Sequence, residues 1–300
     1  MTGRESEAFP YASAQAFGAA ITERLKSMAV ASDRSVSQLR RQFAYDRLLA
    51  RLFHAGSQEW ILKGGVSMIA RFASARHTAD VDLVAATDSV EAALEAMHAA
   101  ATQDLGDFFG FRFEPSRALV QGVPGLRIPT EAWLGPRLFE RFGVDLVTGV
   151  VITGRPEEAE PLLPLAIPGL VRSRYLLYPL VDSIADKVMA IVETHQGRPS
   201  TRFRDLVDLV FIAHSQQVRA SDLAVAFASE RLRRDLSTLD ELAVADEELW
   251  RTGYRTVARD VPGVAEKTLD GALPLAKRFV DPVLAGTAAG TWDPAALAWR

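Results

Sequence analysis

The spacing of apolar residues changes twice along this chain of 300 residues, and each change limits the possible fold. From 12 to 54 apolar residues recur at helical spacing, with Ser35 placed as the cap of a second helix. Short strand-like pieces follow, among them WILK, DVDLVA and RFGVDLV, and long helical runs then return. The pattern predicts an α+β fold. The predicted divisions are an N-terminal helical segment over 1–56, a mixed α/β domain built on a sheet over 57–165 and a C-terminal helical bundle over 166–300.

A proline-rich stretch separates the strand-like region from the last helices. It reads RPEEAEPLLPLAIPG, over residues 155–169, and Pro179 then stands immediately before the helical run LVDSIADKVMAIVETH. Proline has no backbone N–H to donate within a helix or sheet, so such stretches are typical of linkers. We predict a domain boundary here.

Composition excludes several classes of function. The absence of cysteine excludes a disulfide scaffold, thiolate catalysis, an iron–sulfur cluster and a cysteine-ligated zinc. The chain has 34 basic and 38 acidic residues, which gives a formal net charge of −4. Any contact with nucleic acid must therefore come from a local basic patch. The opening MTGRESEAFPYASAQAF lacks the basic and then apolar pattern of a secretion signal, and no stretch approaches the ~18 apolar residues of a membrane span. We therefore expect a soluble, cytoplasmic protein without a membrane partner.

Two acidic side chains share one strand-like segment. Asp80 and Asp82 are two residues apart in DVDL, so on a strand they point to the same side of the sheet. Neighbouring carboxylates repel each other unless a cation neutralises them, and their oxygens suit a hard divalent ion such as Mg²⁺. Asp145 has a similar setting in VDLV. Three carboxylates on neighbouring strands can hold the metal ions used in phosphoryl transfer.

A glycine pair lies between an apolar strand-like run and a helical run. Glycine lets backbone N–H groups approach a phosphate, and a helix N-terminus favours negative charge. Neither GxxxxGK[ST] nor GxGxxG is present, so the usual P-loop and Rossmann sites are disfavoured. The segment predicts a binding site for a nucleoside triphosphate. Its candidate residues are Lys63, Gly64, Gly65, Ser67 and Arg76.

These motifs resemble those of the nucleotidyltransferase superfamily, in which a Gly-Gly or Gly-Ser turn is followed by Asp-x-Asp on a strand and a further Asp on a later strand. More narrowly, KGGVSMIARFASARHTADVDLV is similar to the AbiEii type of nucleotidyltransferase toxin, which includes the MenT group. In those toxins a helical domain carries a lysine on one helix and Arg-Asp-x-x-Asp-Leu on the next. Lys187 in DKVMA and the stretch RDLVDL, with Asp205 and Asp208, match that second pattern.

The resemblance implies a nucleotidyltransferase-like fold and a toxin of a toxin–antitoxin pair, with a cognate antitoxin protein as partner. Such enzymes use Mg²⁺ to transfer a nucleotide from a nucleoside triphosphate, in several members to the 3′ end of tRNA, so that aminoacylation stops.

The resemblance also implies roles for individual residues. Asp80 and Asp82 would hold metal, and Asp145 would join them and help to deprotonate the acceptor hydroxyl. Lys187 would contact the triphosphate from the opposite wall of a cleft between the domains. Either Asp205 or Asp208 would hold that lysine.

Two further features are candidates for substrate binding and regulation. A stretch that is more basic than the rest of the chain is either an RNA-binding surface or an ordinary solvated one. A phosphate on Thr78, two residues before Asp80, would place negative charge beside the acids and block triphosphate binding. The arginines of the basic stretch are Arg172, Arg174, Arg198, Arg202 and Arg204.

The sequence leaves two alternatives to tRNA modification open. A nucleotidyltransferase that modifies a protein side chain would use the same metal and triphosphate residues with a different acceptor. A nucleotide-sensing or partner-binding module with an inactive site is the other alternative. Retention of all the acids and of Lys187 argues against the inactive module.

Overall fold

The computed structural model describes residues 8–54, 59–72, 75–119, 123–194, 197–236 and 239–300. The boundary predicted between 56 and 57 lies outside these residues. Within them the chain combines a mixed sheet with helices, which confirms the predicted α+β class.

The helices begin where the sequence supplies caps. Ser35 accepts a hydrogen bond from the backbone N–H of Gln38, and the Gln38 side chain accepts one from the N–H of Ser35, which is the capping box of the second helix. The helices of the described chain are α1 (Ala14–Val30), α2 (Val36–Leu52), α3 (Gly64–Arg71), α4 (Val90–Ala101), α5 (Leu180–Val192), α6 (Phe203–Ser215), α7 (Ala220–Arg234), α8 (Glu247–Ala258) and α9 (Leu269–Leu284).

Eight strands in the described ranges form one mixed sheet. They are β1 (Trp60–Lys63), β2 (Asp80–Ala85), β3 (Phe109–Phe113), β4 (Arg117–Ala118), β5 (Gly125–Leu134), β6 (Arg137–Val147), β7 (Glu157–Ala159) and β8 (Tyr175–Leu177). Their order across the sheet is β3-β5-β6-β2-β1-β8-β7, with β4 paired to β5. The pairs β2–β6 and β1–β8 are parallel and the others are antiparallel. The centre of the sheet is therefore β2 with β6 and β1 on either side.

Alternation along β2 decides which of its residues reach the core. Val81 and Leu83 are fully buried, whereas Asp80 and Asp82 are only partly buried. A strand points successive side chains to opposite faces, so the two acids share the face that the core does not fill. This is the arrangement that the DVDL pattern predicts.

The chain forms two compact units. The first comprises Met1–Arg71, His77–Val150 and Glu157–Leu177, and the second comprises Phe72–Arg76, Val151–Pro156 and Tyr178–Arg300. The helices α1 and α2 thus share the sheet unit, in place of the separate N-terminal segment that we predicted. The short piece Phe72–Arg76 belongs to the helical unit, although it lies between two strands of the sheet in sequence.

The proline-rich stretch is part of the sheet unit instead of a linker. It contributes the strand β7, and Leu162, Leu163 and Leu165 are buried. The backbone N–H groups of Leu162 and Leu163 donate to the carboxylate of Asp46, which lies within α2. The N–H groups that the prolines leave available are therefore satisfied by a buried acid, an interaction that composition does not reveal.

The helical unit contains α5–α9 and a short terminal hairpin, β9 (Trp292–Asp293) and β10 (Ala298–Trp299). Trp292 is fully buried, donates from Nε1 to the carbonyl of Ala213 at 2.7 Å and packs against Phe279. The last segment is thereby anchored to the helices. Over the described residues, every helix is too short or too polar to cross a membrane.

Asp46 should make the stability of the sheet unit depend on pH. Its carboxylate accepts from Leu162, Leu163 and the hydroxyl of Tyr175, and it is 6% exposed. Burial raises the pKa of Asp46 to about 6, although those hydrogen bonds oppose the rise. Folding therefore favours the protonated form, so its stabilising contribution is complete below the ordinary value of 3.8 and is lost as the pH rises through about 6.

We expect the free energy of unfolding of the wild type, relative to that of Asp46→Asn, to fall by up to about 3 kcal/mol as the pH rises from about 4 to about 7.5. Urea unfolding of both proteins across that range measures the difference. Asp33→Asn, at an exposed position, is the matched control and should show no such trend. A difference between wild type and Asp46→Asn that stays constant with pH would contradict the assignment.

Candidate active site

The strands β2 and β6 bring the predicted acids together. They pair in parallel with Asp82 opposite Asp145 and with Asp80 opposite Gly143. Residues opposite each other on neighbouring strands present their side chains on the same face. The three carboxylates therefore lie on one face of the central strands, and together with Arg127 of β5 we refer to them as the strand cluster.

Two glycines make room for these carboxylates. Gly64 has a φ of +61°, and a Cβ atom built there would overlap the carboxylate of Asp82. At Gly143 a Cβ atom would lie 2.7 Å from Oδ1 of Asp80. Any larger residue at either position would displace an acid of the strand cluster. The Gly-Gly turn thus has a steric role that the sequence did not predict, beside its expected role in phosphate binding.

Arg127 holds two of the three acids. It lies opposite Asp145 in the antiparallel pairing of β5 with β6. Its Nε and Nη2 donate to the two oxygens of Asp145 at 2.8 and 2.9 Å, and Nη2 also donates to Oδ2 of Asp80 at 3.3 Å. The hydrogen bonds that Arg127 donates to Asp145 raise the pKa of Arg127 above its ordinary value, so the side chain remains charged.

The chemistry of these donors fits a hard divalent cation at Asp80 and Asp82. Their carboxylate oxygens are the ligands that Mg²⁺ prefers, and they lie two residues apart on one strand. The arrangement differs from a three-acid metal group, because Asp145 is committed to Arg127. Across the described ranges, no three His, Cys, Asp or Glu side chains are placed to hold one ion. Asp80 and Asp82 are therefore the residues that would hold Mg²⁺.

The glycine turn packs tightly against the segment that precedes β2. A Cβ atom at Gly65 would lie 2.6 Å from that of Thr78, and the Ser67 hydroxyl donates to the carbonyl of Gly64 at 2.9 Å. Ser67 is 1% exposed, so its hydroxyl holds the turn rather than facing solvent. Lys63, the last residue of β1, is in register with Asp82. Lys63 and Gly64 thus adjoin Asp82 of the strand cluster, and Gly65 lies against Thr78.

Burial of Thr78 counts against its predicted phosphorylation. The residue is 8% exposed, and its hydroxyl donates to the carbonyl of Asp80 at 3.4 Å. A kinase would have to move this segment away from Gly65 to reach the hydroxyl.

A second cluster lies within the helical unit, and we refer to Arg76, Lys187, Asp205 and Asp208 as the helix cluster. The Nζ of Lys187 on α5 donates to Asp208 at 2.7 Å and to Asp205 at 3.1 Å, both on α6. Arg76 donates to the two oxygens of Asp208 at 2.8 and 2.9 Å. Both candidate acids therefore contact the lysine, with Asp208 as the central member. Arg76, which we expected to add positive charge at the triphosphate site, donates to Asp208.

Lys187 and Asp208 are buried, yet both favour the charged state. Burial alone would lower the pKa of Lys187, but the attraction of Asp208 and Asp205 outweighs it and the pKa lies above its ordinary value. Burial alone would raise the pKa of Asp208, but Lys187 and Arg76 hold it below its ordinary value. The cluster consequently presents a fixed ammonium group at neutral pH.

The five arginines predicted to bind RNA are divided between the two units. Arg172 donates to the carbonyl of Leu163, and Arg174 pairs with Glu158 and Glu160, all within the sheet unit. The other three belong to the helical unit and are exposed. These three are Arg198, Arg202 and Arg204.

The helix cluster predicts unequal costs for removing its members. Asp208→Asn leaves Lys187 and Arg76 buried together without their shared anion, and we expect a loss of about 3 to 5 kcal/mol in unfolding free energy. Lys187→Met leaves Asp208 paired with Arg76 and should cost only about 1.5 to 3 kcal/mol.

Urea unfolding of the full chain measures both losses. Lys26→Met is a matched control, because Lys26 forms an exposed pair with Glu23, and it should cost less than about 0.5 kcal/mol. Equal losses for Asp208→Asn and Lys187→Met would show that Asp208 is not the centre of the cluster.

Solved structures and family models provide an independent comparison. The crystal structure of JHP933 from Helicobacter pylori matches with a TM-score of 0.45 and 13% identity, covering 84% of this chain and 93% of that one. A crystal structure of a candidate nucleotidyltransferase from H. pylori matches with a TM-score of 0.42 and 15% identity, covering 85% and 94%. Comparison with curated proteins gave no significant match.

The model of one family matches residues 47–279, which is most of the chain and includes both clusters. Its description is nucleotidyl transferase AbiEii toxin, type IV toxin–antitoxin system. The chain therefore belongs to the AbiEii family of nucleotidyl transferase toxins, as the motifs around Asp80 and Lys187 indicated.

Proposed function

We propose that this protein is a Mg²⁺-dependent nucleotidyltransferase that transfers nucleotides from a nucleoside triphosphate to the 3′ end of tRNA and so blocks translation. Family membership supplies the general reaction, a nucleoside triphosphate as substrate and an antitoxin as partner. The strand cluster is the observation that carries the proposal. Its carboxylates are aligned by strand pairing and fitted over two glycines, an arrangement that a purely structural sheet does not require.

Asp80 and Asp82 are proposed to hold the metal ion. A bound Mg²⁺ supplies electrostatic stabilisation of the charge that develops on phosphate oxygens. The chain's own contribution is to fix the carboxylates before substrate arrives, because β2 is paired on both sides and cannot shift without breaking the sheet. Preformed charge of this kind needs no rearrangement during the reaction.

The glycine turn is proposed to bind the triphosphate. The turn begins α3, so backbone N–H groups of the first helical turn are available to phosphate oxygens. Lys63 precedes the turn and adds positive charge. Gly65 is held against Thr78, which fixes the turn beside β2.

Lys187 is proposed to neutralise phosphate charge. Its ammonium has two carboxylate partners and lies on a helix packed against α6 and α7, so its position is well defined. Asp205 and Asp208 act as positioning residues for it, and Arg76 in turn holds Asp208. A lysine in this setting acts as a compact point charge.

The tRNA acceptor is supported by the family resemblance and by exposed charge. Arg202 and Arg204 lie on either side of Phe203, the first residue of α6, and Arg204 immediately precedes Asp205. Arg198 lies on the preceding loop. The formal net charge of the protein is −4, so its affinity for nucleic acid would have to come from local groups of basic side chains. Contacts between such side chains and phosphates supply a large share of the affinity of proteins for nucleic acid. Because tRNA and nucleoside triphosphates meet in the cytoplasm, we place the reaction there.

The transfer reaction can be tested directly. Each of the four radiolabelled nucleoside triphosphates is incubated with Mg²⁺, the full chain and either total tRNA or total cellular protein. We expect label in the tRNA with at least one triphosphate. Asp80→Asn and Lys187→Met should each reduce the rate by about a hundredfold or more, since the first removes a proposed metal ligand and the second the charge proposed to neutralise phosphate.

Asp88→Asn and Lys26→Met, at exposed positions, should retain the wild-type rate within about a factor of two. Label confined to the protein fraction would replace tRNA by a protein acceptor. No label in either fraction, or growth inhibition unchanged by Asp80→Ala, would instead support an inactive binding module.

The three exposed arginines give a separate prediction about tRNA affinity. Replacing Arg198, Arg202 and Arg204 together by Gln should reduce the slope of log affinity against log salt by about 2 to 3, because each phosphate contact releases counterions. Fluorescence anisotropy with labelled tRNA measures the slope. The matched control replaces three other exposed arginines, Arg137, Arg155 and Arg259, by Gln. Equal slopes for the two triple variants would show that net charge alone governs binding.

A further inference from the structure

Arg127 occupies a position that a metal ion would otherwise be expected to fill. It lies on β5, directly opposite Asp145, and its guanidinium reaches two of the three carboxylates of the strand cluster. Its own charge is permanent, since no pH at which the protein is folded removes a proton from arginine. The cluster therefore contains a cation supplied by the chain itself.

Both oxygens of Asp145 accept a hydrogen bond from this arginine. Nε donates to Oδ1 at 2.8 Å and Nη2 to Oδ2 at 2.9 Å, which is the bidentate geometry of a strong arginine–carboxylate pair. A metal ligand or a general base needs an oxygen that can give a lone pair to a metal or a proton. The bidentate pair opposes both uses of Asp145.

Asp80 is held far less tightly. It receives a single, longer contact of 3.3 Å on Oδ2, and 39% of its side chain is exposed against 18% for Asp145. A cation can therefore approach Asp80 from solvent without first breaking a bidentate pair. The two acids differ in availability although both contact Arg127.

Charge opposes a second metal ion in the same place. A divalent ion bound by Asp145 would lie within a few ångströms of the guanidinium, and like charges at about 4 Å repel by several kcal/mol near a protein surface. One metal ion bound by Asp80 and Asp82 experiences less of this repulsion, because Arg127 makes a single longer contact with Asp80 and pairs bidentately with Asp145.

We propose that Arg127 replaces the second metal ion of this site, so that the strand cluster binds one divalent cation, on Asp80 and Asp82, while Asp145 positions Arg127. Half of the Arg127 side chain is exposed, so the guanidinium can contact phosphate oxygens while it remains paired with Asp145. The inference rests on the proposed function only for the need for a divalent cation. The number of ions bound is measured without any reaction.

The test is a titration of the full chain with Mn²⁺ in the absence of nucleotide. The EPR signal of unbound Mn²⁺ measures how much of the ion the protein has bound. We expect one equivalent for the wild type and at least about tenfold weaker binding for Asp80→Asn, which removes a ligand. The variant Arg127→Gln/Asp145→Asn removes one charge of each sign, so it should bind one equivalent with an affinity within about threefold of wild type. Arg127→Gln alone releases Asp145 and should bind a second equivalent.

Two equivalents in the wild type, no binding to it, or a loss in the double variant as large as that in Asp80→Asn would each overturn the proposal. A single equivalent in Arg127→Gln would also overturn it, because Arg127 would not then limit the count. Circular dichroism of the same samples separates unfolding from loss of a ligand, with Asp82→Asn as the second ligand variant if Asp80→Asn does not fold. A transfer assay on the wild type, run in parallel, distinguishes failure of this inference from failure of the proposed function.

Discussion

The parallel pairing of β2 with β6 is the constraint on which the strand cluster depends. Because the two central strands run in the same direction in register, Asp82 lies opposite Asp145, and the acid two residues earlier lies opposite a glycine. Carboxylates this close destabilise the sheet unless positive charge accompanies them. The fold meets this need with Arg127 from the next strand, so the same pairing that creates the electrostatic problem also fixes where its counter-charge must lie.

The hairpin formed by β5 and β6 contains one extra residue, Phe139, on the β6 side. The pairing of β5 with β6 shifts register between Ala132 and Trp133, since Trp133 lies opposite Leu138 whereas Ala132 lies opposite Glu140. If Phe139 were instead paired with Ala132, continuing the register of the turn, Arg127 would lie opposite Val144. Its side chain would then share the buried face with Val144. The charge of the strand cluster is thus determined by an irregularity at the far end of the hairpin.

The sequence could predict the features that depend on local pattern. Ser35 caps α2, DVDL alternates as a half-buried strand, and the Lys187 and Asp208 motifs lie together on neighbouring helices. The role of Arg127 could not be predicted, because it follows from the register of a bulged hairpin, which no short pattern contains. The proline-rich stretch was predicted as a linker because proline weakens regular structure, but its remaining N–H groups bind a buried carboxylate that is far away in sequence. Long-range pairing of this kind decides the division into units.

The two clusters follow different electrostatic rules. The helix cluster has two cations and two carboxylates, and their mutual attraction outweighs the cost of burial. In the strand cluster, 39% of the Asp80 side chain and 50% of the Arg127 side chain are exposed. The buried network fixes a lysine and offers no site for a metal cation, whereas the exposed carboxylate of Asp80 can be reached by a divalent cation from solvent. Exchange of metal is therefore expected at β2, and the position of Lys187 should be insensitive to it.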